Sequence, residues 1–162
     1  MCIRDSITLG DGSEFRLSGV ADRIEKLADG AFAVIDFKTG APPSAKMVDC
    51  GLSPQLTLEA KMISAGAFPG IDAGAQVSSA LYVKLGGKQG LDKPREATSK
   101  NEPLAQVQEK HYQGLLELLN QFRNPETPYL SRPFPQFESK ATEYDHLSRY
   151  REWSAGDDGE GA

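Results

Sequence analysis

Residues 15–40, FRLSGVADRIEKLADGAFAVIDFKTG, decide how this chain is expected to fold. They predict two strands joined by a tight turn. Asp29-Gly30 marks the turn, because both residue types tolerate a positive φ. The first strand is expected over Arg16–Glu25, where small apolar and polar residues alternate. The second, Ala31–Lys38 (AFAVIDFK), is rich in β-formers and mostly apolar, as a buried central strand would be. Thr39-Gly40-Ala41-Pro42-Pro43 then breaks it.

Asp22 and Asp36 stand at equal distances from the turn at Asp29. In an antiparallel hairpin centred there they become cross-strand neighbours, with Cβ atoms roughly 5 Å apart. Strand alternation also sets Asp36 and Lys38 on one face of the second strand. Two carboxylates that close repel each other unless something positive lies between them. A divalent cation meets that need, and Lys38 helps to balance the charge. Such a group suits phosphodiester hydrolysis: the metal polarises the phosphate and activates water, and the ammonium positions the nucleophile or stabilises developing charge. Gln55, at the start of the next predicted helix, would orient the water or contact the backbone of the scissile strand. The plainer reading makes the three charges a solvated hairpin pattern. Asp36 weighs against it, because it interrupts Val34, Ile35 and Phe37, where an unpaired charge would be costly. Spacing alone leaves both readings standing.

Beyond the hairpin, Ser53–Ala65 predicts a helix with Ser53 as N-cap, Pro54 in the first position and Gly66 as its end. Leu56, Ala60 and Ile63 fall at compatible helical spacings. Gln76–Leu85 (QVSSALYVKL) predicts another strand, followed by a glycine-rich loop to Gly90. Pro103–Arg123 predicts the longest helix, with Leu115, Leu116, Leu118, Leu119 and Phe122 on its buried side. Pro125, Pro128, Pro133 and Pro135 make Asn124–Phe137 extended. Tyr144–Trp153 is expected to be helical, and the Gly/Asp/Glu-rich end from Ala155 disordered. The fold class implied is α/β, a mixed sheet flanked by helices.

Composition narrows the chemistry. A chain of 162 residues suffices for one domain with a real core. Two cysteines, Cys2 and Cys50, make neither a disulfide framework nor a CxxC, so no iron–sulfur cluster is expected. Cys50 reads as a small semi-buried residue. His111 and His146, the two histidines, have no ligand-pair spacing and read as structural or exposed. A metal here must therefore be held by carboxylates, which points to a hard ion: Mg²⁺, with Mn²⁺ as the alternative. The net charge of −5 argues against nucleic-acid binding by bulk electrostatics and sets much of any DNA-gripping surface elsewhere. Lys46, Lys84 and Lys88 read as solvated lysines, and Tyr150 and Trp153 as docking their terminal segment rather than stacking on bases. No membrane-length apolar run and no secretory leader is evident, so the cytoplasm is the expected compartment, with no membrane partner.

Three motifs carry a family resemblance: Gly19, Ala21, Asp22, Arg23, Ile24; then Val34 to Gly40 (VIDFKTG); then Pro54, Gln55, Leu56. Together they strongly resemble the RecB-like branch of the PD-(D/E)XK nucleases, which implies a restriction-endonuclease-like core. The resemblance implies metal binding by Asp22, Asp36 and the main-chain carbonyl of Phe37. It makes Lys38 catalytic and has Gln55 complete the site. A tyrosine often follows that glutamine by four positions; Glu59 stands here and is left out of the expected core site. Residues 51–60 (GLSPQLTLEA) and 144–154 (YDHLSRYREWS) are similar to the C-terminal nuclease domain of AddB subunits of bacterial AddAB helicase–nucleases. That similarity runs from about residue 10 to residue 154. It implies single strands at unwound DNA ends as substrate and an AddA-type helicase–nuclease subunit as partner. Residues 1–9 match no part of that family and read as a spurious or disordered start; 155–162 read as a disordered tail. The family's upstream acidic residue and helicase-like region have no counterpart in this sequence, so the core is expected to be incomplete at its N-terminus. Two other readings stay open: a stand-alone RecB-like exonuclease of a phage or CRISPR system, and a non-catalytic nuclease-fold scaffold that grips DNA or the helicase.

Overall fold

A computed structural model describes residues 2–86, 93–99, 101–129 and 147 of the chain. The residues that matter here belong to one unit, Met1–Phe122; a second unit comprises Arg123–Ala162. In the first unit the strands are β1 (Cys2–Thr8), β2 (Glu14–Val20), β3 (Arg23–Lys26), β4 (Phe32–Lys38), β5 (Val77–Lys84) and β6 (Arg95–Glu96). The helices are α1 (Ala45–Asp49), α2 (Gln55–Ser64) and α3 (Leu104–Phe122). The expected α/β class with a mixed sheet is what the chain adopts. Four strands are ordered β3-β4-β5-β6, with β4 and β5 parallel and both outer pairs antiparallel.

The turn at Asp29-Gly30 forms where the sequence sets it. Gly30 has φ 86°, its N–H donates to the Leu27 carbonyl at 3.0 Å, and Asp29 Oδ1 accepts from Ala31 N at 3.0 Å. The resulting register, from Arg23↔Ile35 to Lys26↔Phe32, is centred on Asp29 as expected. The strand before the turn is shorter than predicted, however. Arg16–Glu25 is not one strand: β2 stops at Val20 and β3 starts at Arg23. β2 pairs with β1 in a separate two-stranded sheet, so the chain changes sheets at Ala21-Asp22. Ala21 is buried there within the core, which fixes the crossing point.

Residues 2–8 form β1, where an irregular start was expected, because the backbone of β2 offers a full antiparallel partner from Cys2↔Val20 to Thr8↔Glu14. Two short elements, α1 and β6, had no counterpart in the sequence reading. Ser44 caps α1 by accepting from Met47 N at 3.3 Å.

β4 is buried along most of its length, as its composition demands. Val34 is fully buried against the core formed with Leu56, Ala60 and Ile63 of α2 and Ala80 and Tyr82 of β5. α2 spans nearly the predicted range, but Pro54 rather than Ser53 occupies the N-cap and no side chain caps it. The missing side-chain acceptor leaves its first N–H groups to other partners. The longest helix, α3, also spans nearly its predicted range; it fully buries Val107, Gln108 and His111, while Leu115, Leu116 and Leu119 of the expected face are half-buried. Leu118 and Phe122 are exposed. Its first half packs on α2 because His111 Nδ1 meets Thr57 Oγ1 at 2.7 Å, and Lys61 pairs with Glu109 at 2.6 Å. Among isolated expectations, Cys50 is exposed rather than semi-buried. In the second unit, Asn124 closes a turn by accepting from Glu126 N and Thr127 N. The glycine-rich segment 87–90, Pro133, Pro135, the 144–153 helix apart from Leu147, and the tail from Ala155 lie outside the described residues.

α2 ends at Gly66, whose φ of 76° belongs to the left-handed region, and its N–H and that of Ala67 close onto Ile63 and Met62. A Cβ at Gly66 would lie 2.7 Å from the backbone nitrogen of Ala73. Gly66→Ala should therefore destabilise the fold by about 2 kcal/mol or more, from the left-handed conformation and the backbone clash together. Urea denaturation of the two proteins measures this, and an unchanged midpoint would contradict it.

Candidate active site

Asp36 lies on β4 with its side chain on the α2 face, the same face as Val34 and Lys38. It is 3% exposed, so its charge has to be answered inside the protein. Two side chains do so. Lys38 Nζ donates to Oδ1 at 3.1 Å and lies 2.8 Å from Oδ2. Gln55 Nε2, from the first turn of α2, donates to Oδ1 at 2.9 Å. Gln55 Oε1 in turn accepts from Lys38 Nζ at 3.3 Å, which closes a three-membered ring of contacts. Three of the four expected site side chains are thus brought together. The Lys38 ammonium also stands 6.0 Å from the ring centre of Tyr82, the residue opposite Asp36 on β5.

Asp22 is held differently. It occupies the gap between β2 and β3, is exposed, and its Oδ2 accepts from Phe37 N at 2.9 Å. The β3–β4 register would put Asp22 opposite Asp36, but backbone pairing stops one residue earlier, at Arg23↔Ile35. A side-chain oxygen takes the place of the missing ladder partner. Asp22 therefore sits at the same end of the sheet as Asp36, bound to the adjacent backbone. Phe37 shows an engaged N–H.

Glu59 is the residue the sequence reading passed over. It is one helical turn beyond Gln55 on α2, and Gln55 Nε2 donates to its Oε1 at 3.1 Å. One amide nitrogen thus bridges Asp36 and Glu59. Glu59 is 6% exposed, and among the described residues its Oε2 has no hydrogen-bond partner. Burial, reinforced by the charges of Asp36 and Asp22 and opposed by Gln55 and Lys38, pushes its carboxyl up from 4.5 to about 7. Tyr82 is pushed up to about 12, chiefly by burial and then by Asp36 and Glu59, so it stays a neutral phenol. The spacing i, i+4 from Gln55 was visible in the sequence. Its consequence was not, because the family pattern puts a tyrosine there.

The donors fit a hard divalent cation in kind. They are oxygens only; among the described residues Glu59 Oε2 is buried without a hydrogen bond, while Asp36 Oδ2 is paired with the Lys38 ammonium. No group of three His, Cys, Asp or Glu side chains stands ready-made around one point among the described residues. Lys38 and the Phe37 amide now satisfy oxygens that a cation would claim.

Glu59 makes stability depend on pH in a definite sense. Its folded-state pKa lies above the ordinary value, so the unfolded chain gives up the proton first as pH rises. Stability should fall from about pH 4.5 to about 7 and then level off. Glu59→Gln should lose that component of the slope. Urea midpoints at pH 5 and pH 8 with a chelator present measure it; parallel profiles for the two proteins would contradict the assignment.

Comparison with known proteins agrees with this geometry. A PD-(D/E)XK nuclease superfamily model matches residues 3–133. An uncharacterized protein of Rickettsia bellii is 31% identical over 123 residues, covering 68% of this chain and 14% of that protein. One of Rickettsia felis is 28% identical over 166 residues, covering 85% of this chain and 19% of that protein. The chain thus spans less than a fifth of the length of these relatives. No solved structure matches. No described helix is long and apolar enough to cross a membrane. Members of the matched superfamily generally act on nucleic acids and typically use divalent metal ions. With a mixed sheet, an Asp-x-Lys on its central strand and a glutamine reaching that aspartate from the next helix, this chain belongs to the PD-(D/E)XK nuclease superfamily.

Proposed function

We propose that this chain is the metal-dependent DNA exonuclease domain of a helicase–nuclease that trims double-strand breaks for recombinational repair. One observation supports it most: a partly exposed ammonium, Lys38 Nζ, is anchored between buried Asp36 and Gln55. In this reading Asp22, Asp36 and the Phe37 carbonyl hold Mg²⁺, or Mn²⁺ in its place. The N–H and C=O of a residue in an extended strand leave it on the same edge, so the Phe37 carbonyl shares an edge with Asp22. A divalent cation there would polarise the scissile phosphodiester.

The side chains supply the rest. Lys38 donates to the attacking water or to a phosphate oxygen, and stabilises the charge that grows in the transition state. Gln55 keeps Lys38 and Asp36 in register and, with both N–H groups given to Asp36 and Glu59, meets the water through Oε1. The AddB-like stretches at residues 51–60 and 144–154 favour a role beside an AddA-type subunit on strands freed by unwinding. The nuclease domain then runs from β1 to residue 154, with 155–162 as its tail. Such a complex works on cytoplasmic DNA. The negative net charge leaves most of the DNA grip to the remainder of the protein and its partner.

Lys38→Ala in the helicase–nuclease complex should slow cutting of this subunit's strand on the order of a hundredfold or more. Unwinding should continue at the parental rate. A duplex end-labelled on each strand separately measures both. Undiminished degradation of that strand would remove Lys38 from catalysis and favour a nuclease-fold scaffold that binds without cutting.

A further inference from the structure

We infer that Glu59 is an inner carboxylate of the metal centre, binding the divalent cation together with Asp36. The inference rests on the metal-dependent reading above and adds a ligand from α2 to the two aspartates of the sheet.

A buried carboxylate oxygen without a hydrogen bond loses its water and gains nothing in return, a cost of about 1–3 kcal/mol. Proteins rarely tolerate such an atom without a reason. Among the described residues Glu59 Oε2 is one, on a residue 6% exposed; Asp36 Oδ2, by contrast, is answered by Lys38 Nζ at 2.8 Å. Packing alone gives no account of a carboxylate at this point. α2 already fills its core face with Leu56, Ala60, Met62 and Ile63, and an apolar residue at 59 would avoid the cost.

The arrangement around Glu59 is directional. Gln55 Nε2 takes Oδ1 of Asp36 and Oε1 of Glu59, so one oxygen of each carboxylate is tied to the same nitrogen. Of the second oxygens, Glu59 Oε2 has no hydrogen bond among the described residues, whereas Asp36 Oδ2 is paired with Lys38 Nζ at 2.8 Å. Gln55 thus fixes two carboxylates close together while leaving Glu59 Oε2 open, and a dication would take Asp36 Oδ2 over from Lys38. Among the described residues the cation at this point is Lys38, whose bonds go to Asp36 and Gln55 and not to Glu59. Two carboxylates and Asp22 against a single ammonium leave a local excess of negative charge suited to a divalent ion. The occupant is identified by that chemistry as a small hard dication.

Mn²⁺ binding to the purified chain, followed by electron paramagnetic resonance and isothermal titration, tests this without any cutting assay. Glu59→Gln retains the side-chain shape and a carbonyl acceptor for Gln55 Nε2, and melting curves verify that it folds. Its Mn²⁺ affinity should fall at least about tenfold, as should that of Asp36→Asn, while Glu109→Gln on exposed α3 should bind like the parent. Glu59→Asp should recover part of the loss. If Glu59→Gln binds Mn²⁺ as the parent does while Asp36→Asn does not, the inference is overturned and the metal-dependent reading stands. If the parent itself binds no Mn²⁺, both fall.

Discussion

A carboxylate is buried in the middle of an apolar strand, and the rest of the site follows from how that charge is answered. Asp36 is enclosed between β5 and α2, where an unpaired charge would be far more costly than the marginal stability of a small domain allows. Two neighbours make it tolerable: Lys38 from the same face of β4, and Gln55 from the first turn of α2. Neither acts alone. A buried ion pair seldom stabilises a fold outright, so the geometry is better explained by what the charges can do than by what they hold together.

The connection between β4 and β5 makes this possible. Parallel neighbours need a crossover, and here the chain between them carries α2. The helix packs its apolar face on Val34, Ala80 and Tyr82 and ends sharply at Gly66, which fixes where its first turn lies. Gln55 and Glu59, one turn apart, then overlook the end of β4 where Asp36 and Lys38 stand. The core residues of the crossover thus set the positions of the polar ones. The Thr57–His111 contact ties the same helix to α3 and stiffens the element that carries Gln55.

The sequence made the sheet legible where local chemistry dominates. Asp29-Gly30 can turn in few ways, and an apolar strand such as FAVIDF has few places to lie, so register and face followed directly. Interactions set by distant packing were not legible. The break at Ala21-Asp22 depends on β2 finding β1 instead of continuing beside β4. α3 has its expected length, but its deepest burial lies in the first half, and Leu118 and Phe122 of the expected face are exposed. Leucines alone suggest the C-terminal end, whereas a polar contact from Thr57 and the apolar Val107 fix the N-terminal one. Strand alternation set Lys38 on the face of Asp36 and the family pattern gave Lys38 and Gln55 their roles, but neither could show that both side chains share the Asp36 carboxylate.

Glu59 shows why a family pattern can hide a functional residue. Matching position 59 to an aromatic role removes it from consideration, although helical geometry sets it beside Gln55. Coordinates reverse the weighting. A tyrosine contributes a ring and one hydroxyl; a glutamate buried at the same spot brings a charge and two acceptors, one of which is unused here. That difference is electrostatic before it is steric. Burial, and after it the charges of Asp36 and Asp22, raises the affinity of its carboxyl for a proton, and the same group of carboxylates attracts a cation. Asp22, one strand away, contributes to that field while its oxygen is held by a backbone amide. The negative potential of the pocket therefore does not depend on every carboxylate being poised as a ligand. Asp36 and Glu59 create it from within the fold, and the Gln55 amide nitrogen, bonded to both, holds the helix to the strand against their repulsion.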